Sequence, residues 1–126
     1  MNAPENLKYT NEHEWILVDG NIATIGVTDY AQSELGDIVY LDIDSDLKEI
    51  TKGESIGTIE AVKTVSDLFS PFNGTIIEIN SALSESPELI NKDPYGEGWM
   101  LKAEIKNLSD LDDLLDSKAY GELIGQ

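Results

Sequence analysis

The sequence predicts a mostly β fold with short peripheral helices and a helical C-terminal tail. Three observations carry that expectation. Short runs of apolar and β-branched residues recur from Trp15 to Ile105, separated by turns that contain glycine. The tripeptide Asp19-Gly20-Asn21 sits between two such runs, a hairpin signal. Only after Asn107 does the apolar spacing change from the period of a strand to that of a helix.

Taken in order, Trp15-Ile16-Leu17-Val18 and Ile22 to Val27 are the arms of the first hairpin. Thr28 is placed to cap a short helix over Asp29 to Leu35, and Gly36 to stop it in a left-handed conformation. From Asp37 to Ile43 the alternation puts Val39, Leu41 and Ile43 on one face of a strand. Ser55 to Ala61, Ser66 to Ser70 and Thr75 to Ile79 continue the strand pattern. Ser86-Pro87-Glu88-Leu89-Ile90 has the grammar of a helix start: a cap, a first-turn proline and an early acid. Trp99 to Ile105 reads as a half-buried strand with Trp99, Leu101, Ala103 and Ile105 inward. In the tail, Leu111, Leu114 and Leu115 form one helical stripe, and Gly121 divides it into two short helices.

A faint internal echo links Gly36 to Leu41 with Gly74 to Ile79, which suggests a barrel or sandwich with two similar halves. At 126 residues and 40% apolar content the chain is long enough to bury its own core. It reads as one domain, residues 1–126, with a core over about 15–105 and a helical extension over about 109–124.

Composition removes several functions. The absence of cysteine excludes disulfides, thiol nucleophiles and thiolate metal sites. The longest apolar runs are far too short to span a membrane. With 25 acidic residues against 8 basic ones, all lysine, the net charge is −17. Such a surface repels nucleic acid and anionic lipid, so neither is an expected partner. It serves solubility and can steer the protein toward basic surfaces on other proteins.

Enzyme chemistry finds little to build on. His13, between Glu12 and Glu14, is the single histidine. Beside two carboxylates it could be a base of raised pKa, but a packed or surface imidazole at a strand start is the simpler reading. No phosphate loop, dinucleotide fingerprint, nucleophile elbow or histidine cluster is present. Asp42-Asp44 and Asp112-Asp113 lack a calcium-loop spacing and read as solvated faces. The chain is therefore not expected to be an enzyme.

Lys63 is different in kind. It is the only basic residue between Lys52 and Lys92, and it sits between two strand runs in Glu60-Ala61-Val62-Lys63-Thr64-Val65-Ser66. Small and β-branched neighbours, stiff at χ1, would hold a tight hairpin and present the amine at its apex. That suits amide attachment of a carboxylic acid cofactor; an ordinary hairpin-tip lysine is the plain alternative.

Several further motifs stand in order along the chain. They include Tyr9-Thr10 with His13-Glu14-Trp15-Ile16, and Gly26-Val27-Thr28-Asp29-Tyr30-Ala31-Gln32 running into Leu35-Gly36-Asp37-Ile38-Val39. Glu60-Ala61-Val62-Lys63, Val65-Ser66-Asp67 and Ser70-Pro71 follow, then Pro87-Glu88-Leu89-Ile90-Asn91 and Asp93-Pro94-Tyr95-Gly96-Glu97-Gly98-Trp99. With these motifs the chain resembles the H proteins of the glycine cleavage system over nearly its whole length.

The resemblance implies a lipoyl-domain-like barrel-sandwich hybrid, with lipoate joined covalently to the residue that matches Lys63. It implies a swinging arm serving three enzymes in bacterial or mitochondrial one-carbon metabolism and glycine catabolism. Glycine decarboxylase (P protein) loads the arm with an aminomethyl group, the aminomethyltransferase (T protein) unloads it, and dihydrolipoamide dehydrogenase (L protein) takes the electrons. Lipoate-attaching enzymes are further partners, and a monomer is expected. By the same resemblance Glu14 and Asp67 are candidates for a carboxylate cleft that holds the cationic loaded arm, and Glu60 for recognition during lipoylation.

Departures are mild: Thr64, Leu68-Phe69 and Glu34 stand where many relatives carry Ala, an Ile-Tyr pair and, in some, His. Methionine is absent beside Lys63, unlike in biotin carriers, which speaks against biotin. A lipoate-relay carrier serving other enzymes and an unmodified β-sandwich interaction module are the alternative readings. Few residues precede the first motif and no Arg-rich leader does, which suits a bacterial cytoplasmic protein, or a mitochondrial matrix protein after processing.

Overall fold

Asp19 pairs with Ile22 across Gly20-Asn21, a two-residue turn in which Gly20 has φ +64°, so the first hairpin closes where its glycine allows. The structure is a computed structural model and describes residues 3–125. The hairpin arms, β2 (Glu14–Asp19) and β3 (Ile22–Val27), are joined by β1 (Lys8–Tyr9) and by three later strands. These are β5 (Glu49–Ile50), β8 (Gly74–Ile79) and β9 (Leu101–Ile105), and the larger sheet runs β1-β2-β3-β9-β8-β5, antiparallel throughout. A smaller antiparallel sheet has the order β4-β6-β7, from β4 (Ile38–Asp42), β6 (Ser55–Ala61) and β7 (Val65–Phe69). The two sheets form a sandwich of the lipoyl-domain kind and not a closed barrel. The two echoing segments fall in different sheets, as β4 and β8.

The main core contains Ile16, Ala23 and Ile25 of β2 and β3, Ile59 and Leu68 of the smaller sheet, and Leu101, Ala103 and Ile105 of β9. A second cluster joins Leu7, Tyr9, Trp15 and Tyr120. Gly26 lies opposite Trp15, and a Cβ there would stand 2.6 Å from the indole ring. The glycine makes room for the largest core side chain.

Helix α1 (Asp29–Leu35) begins and ends where expected: Thr28 accepts from the Ala31 amide, and the Gly36 amide donates to Gln32. Gly36 itself has φ +79° and ψ −157°, so it is not left-handed helical but in an extended region essentially restricted to glycine. Further expectations are corrected. Val39 is 51% exposed, because a bulge between Ile38 and Tyr40 shifts the register and turns Ile38 and Leu41 inward instead. Trp99 precedes β9 and is half-buried, while Met100 takes the core place beside Leu101.

Ser86 closes a preceding turn, α2 (Ala82–Glu85), by donating its amide to Ala82; α3 (Leu89–Lys92) has its N-cap two residues later, at Glu88, without a side-chain cap bond. Gly121 lies inside α4 (Ser117–Leu123), and the tail breaks earlier. After a 3₁₀ turn over Leu108–Leu111 the chain extends, and Leu115 bridges Tyr9 through amide–carbonyl bonds of 2.8 and 2.7 Å. That bridge splits the leucine stripe: Leu111 and Leu114 pack on the main core and Leu115 on the second. Asp116 then caps α4 at the Ala119 amide.

Candidate functional site

Lys63 stands in the turn between β6 and β7, closed by the Ala61 amide donating to the Thr64 carbonyl at 2.8 Å. The turn is exposed from Val62 to Val65, with Val62 at 73% and Val65 at 60%. Its one anchor to the loop after α1 is the Val62 amide, which donates to the Asp37 carbonyl at 3.0 Å. That loop is itself fixed. Asn91 of α3 donates to the Gly36 carbonyl at 2.9 Å and accepts from the Ile38 amide at 2.9 Å. The Lys63 side chain lies back over Gly36, where a Cβ would come within 3.2 Å of its Cε. Gly36, with no side chain of its own, leaves room for the lysine stem.

A cavity of about 310 Å³ is lined by Ile59 of β6, by Ser66, Asp67 and Leu68 of β7 and by Leu35 next to Gly36, though by no residue of the turn from Val62 to Val65. Its floor is apolar, from Val27, Ala31, Leu35, Ile59 and Leu68; His13, Tyr30, Glu34 and Asp67 give it polar walls. A neighbouring cavity of about 380 Å³ is lined by Glu14, Ser70, Lys52 and Leu114 among others, and Glu12 borders both. Glu14 and Asp67 therefore face two adjoining spaces rather than one. Asp67 is exposed on β7. Glu60 is exposed on the outer face of the smaller sheet, between Tyr40 and Val65.

Glu14 is only 2% exposed. It ties the sheets together: Oε2 accepts from the Phe69 amide of β7 at 2.7 Å, and Oε1 accepts from the Thr10 hydroxyl at 3.2 Å. Burial disfavours its charge more than those bonds support it, and its pKa is pushed up to about 7. At neutral pH this carboxyl is shared between its acid and anionic forms, a property that nothing in its sequence context signals.

His13 lies on the cavity wall, against Tyr30 at 4.9 Å between ring centroids. The idea of a raised pKa is overturned: burial lowers it, outweighing the charges of Glu12 and Glu34. Sequence reasoning did not find Tyr30, Asn91 or Tyr120. The first two stood inside motifs without a stated role, and Tyr120 reaches the site only through the fold. Among the described residues, no group of three or more His, Asp or Glu side chains is placed to hold a metal ion.

An exposed lysine on a turn whose two strands line a cavity with an apolar floor and acidic walls fits a lysine that carries a long apolar prosthetic arm. The comparisons agree with that fit. Residues 7–126 match the family model of the glycine cleavage H-protein. The chain belongs to the glycine cleavage H-protein family. It is 56% identical to the glycine cleavage system H protein of Bacteroides fragilis, and 58% identical to that of Bacteroides thetaiotaomicron. Each comparison covers 98% of both chains. The crystal structure of a glycine cleavage system H protein from Mycobacterium marinum superposes with a TM-score of 0.89 at 34% identity, over 98% of this chain and 99% of that one. Glycine cleavage H-proteins are non-catalytic lipoyl carriers, and this is the function of the chain. It works with the P, T and L proteins of the system. No helix among the described residues is long and apolar enough to cross a membrane.

Proposed function

We propose that Lys63 is the lipoyl attachment site. The observation that carries this is its position at the apex of an exposed turn, with Gly36 leaving room for its stem and both strands of the turn lining the cavity. Joined as an amide, the group supplies a disulfide that accepts the aminomethyl carbon and electrons, and the hard chemistry belongs to the cofactors. The protein's own residues mount, shelter and present. The Asp37–Val62 bond and the Asn91 buttress fix where the stem starts. Leu35, Ile59 and Leu68 offer the arm an apolar rest, and Asp67, Glu34 and Glu12 give a cationic end carboxylates to meet.

Of the two cleft candidates, Asp67 meets the loaded arm as the exposed anion in its cavity, and the buried Glu14 acts on it from the adjoining space. Glu60, three residues before Lys63 on an open face, is read by the lipoate-attaching enzyme. The chain acts as a single domain and a monomer, and the bacterial relatives support a cytoplasmic setting.

Intact mass with peptide mapping on protein from its native host tests the attachment. A lipoyl increment on the peptide containing Lys63, absent from Lys63→Arg, is expected; an unmodified Lys63 in native material sinks the assignment. The cleft has its own test: Glu14→Gln/Asp67→Asn is expected to lose the aminomethyl group faster than wild type, and an unchanged decay rate rejects it.

A further inference from the structure

His13 has φ +68°, the one positive φ outside glycine among the described residues. Its backbone is held from both sides: the amide donates to the Thr10 carbonyl at 3.2 Å, and the carbonyl accepts from the Thr28 amide at 3.1 Å. Strain of this kind persists only where the surroundings over-determine it, and it gathers at functional positions. Here it sets the imidazole between the cavity wall and α4. Nδ1 lies 2.9 Å from the Tyr120 hydroxyl, and that hydroxyl lies 2.7 Å from Thr28 Oγ1.

The protons in this chain have one consistent direction. Thr28 is fully buried, and its oxygen already accepts from the Ala31 amide at 3.1 Å. The Thr28 proton therefore goes to Tyr120, and Tyr120 gives its own to His13 Nδ1. The reverse order would leave a buried hydroxyl proton without an acceptor. With Nδ1 accepting, a neutral ring carries its proton on Nε2, the nitrogen left to meet whatever enters the cavity.

We propose that Tyr120 is a positioning residue that locks neutral His13 in the Nε2–H tautomer, so that the imidazole offers the arm cavity a donor and no free base. The tautomer stands on geometry alone; only the identity of the occupant rests on the carrier reading. A loaded arm that ends in an ammonium is kept by keeping its proton. An imidazole lone pair on the wall would compete for that proton near neutral pH, whereas an N–H does not. Glu12, Glu34 and Asp67 line the same cavity, and Tyr30 and Tyr120 pack against the ring. The acids favour an imidazolium; burial opposes it and prevails.

Because the chain has a single histidine, its ring signals in ¹⁵N–¹H spectra of the full-length unmodified protein need no assignment. Spectra are recorded from about pH 5 to 8. The expected result is a single Nε2–H pattern with a titration midpoint below that of free histidine. In Tyr120→Phe the tautomer preference is lost and the midpoint moves up, while Thr28→Ser, which keeps the hydroxyl, retains both. An Nδ1–H or mixed pattern in the wild type overturns the proposal, as does a Tyr120→Phe spectrum that matches it. If Tyr120→Phe does not fold, the wild-type spectrum decides alone, a single Nε2–H pattern supporting the proposal and an Nδ1–H or mixed one overturning it. On lipoylated, loaded protein Tyr120→Phe is expected to shed the aminomethyl group several-fold faster, and an equal rate overturns the claim about the occupant. Failure of lipoylation at Lys63 would leave the tautomer result standing, so the two readings fail separately.

Discussion

The turn that carries Lys63 and the corner that joins Trp15, Tyr9 and Tyr120 solve opposite problems. The turn exposes valines on both sides of the lysine, and one backbone bond ties it to the loop after α1. In the corner every large side chain is buried and its polar atoms are engaged. Tyr9 stacks on Tyr120 at 4.6 Å, Trp15 donates to the Pro94 carbonyl at 2.9 Å, and Tyr120 bonds His13 and Thr28. Desolvation there pushes the Tyr120 hydroxyl up to about 12. If Lys63 carries the arm as proposed, the attachment point must come within reach of several enzymes while the cavity walls stay rigid. The difference teaches that these demands are met in separate places, with His13 and Glu14 linking the corner to the cavities.

Substitutions on the two sides should separate accordingly. Trp15→Ala, which empties the corner and leaves Gly26 uncovered, is expected to cost ~3–5 kcal/mol in denaturant unfolding, as large core aromatics do. A loss below ~1 kcal/mol would mean that the corner is peripheral to stability.

Glu14 gives a smaller effect that depends on pH. Its folded pKa of about 7 lies above the ordinary value of 4.5, so the folded state holds the proton more tightly. The stabilisation is complete below pH 4.5 and is lost as pH rises through 7. Over that window the wild type should lose on the order of 3 kcal/mol relative to Glu14→Gln, from about 1.4 kcal/mol per pKa unit. Parallel stability–pH curves for the two proteins would show the carboxyl to be unshifted.

The turn should give the least. Val62→Ala and Glu60→Ala are expected to change unfolding free energy by less than ~0.5 kcal/mol, since both side chains stand in solvent. Glu60→Ala should nevertheless be lipoylated more slowly. Wild-type kinetics with the attaching enzyme would remove Glu60 from recognition.

Much of the strand framework was legible because it is local. The hairpin at Gly20-Asn21, the Thr28 cap and the span of β6 follow from turn chemistry, capping and side-chain period. Lys63 stood out for the same reason: stiff neighbours and no nearby cation. The reading failed where a strand departs from its period. The bulge after Ile38 exposes Val39, and Met100 and Leu101 are both buried where alternation would expose one. It failed again in the tail, where the pairing of Leu115 with Tyr9 overrides a leucine stripe that is helical by spacing. A bond between residues so far apart in sequence leaves no periodic trace.

The sequence by itself determined the β-rich class, the lysine on its turn and the family, since each rests on neighbours within a few residues or on motifs in order. The tertiary structure alone decided that Glu14 is a buried acid bridging two sheets, that Glu14 and Asp67 face separate spaces, and that Tyr120 reaches back to His13. Those outcomes depend on desolvation and on hydrogen-bond partners from distant strands and helices. Both are properties of the packed chain, and the order of residues does not display them.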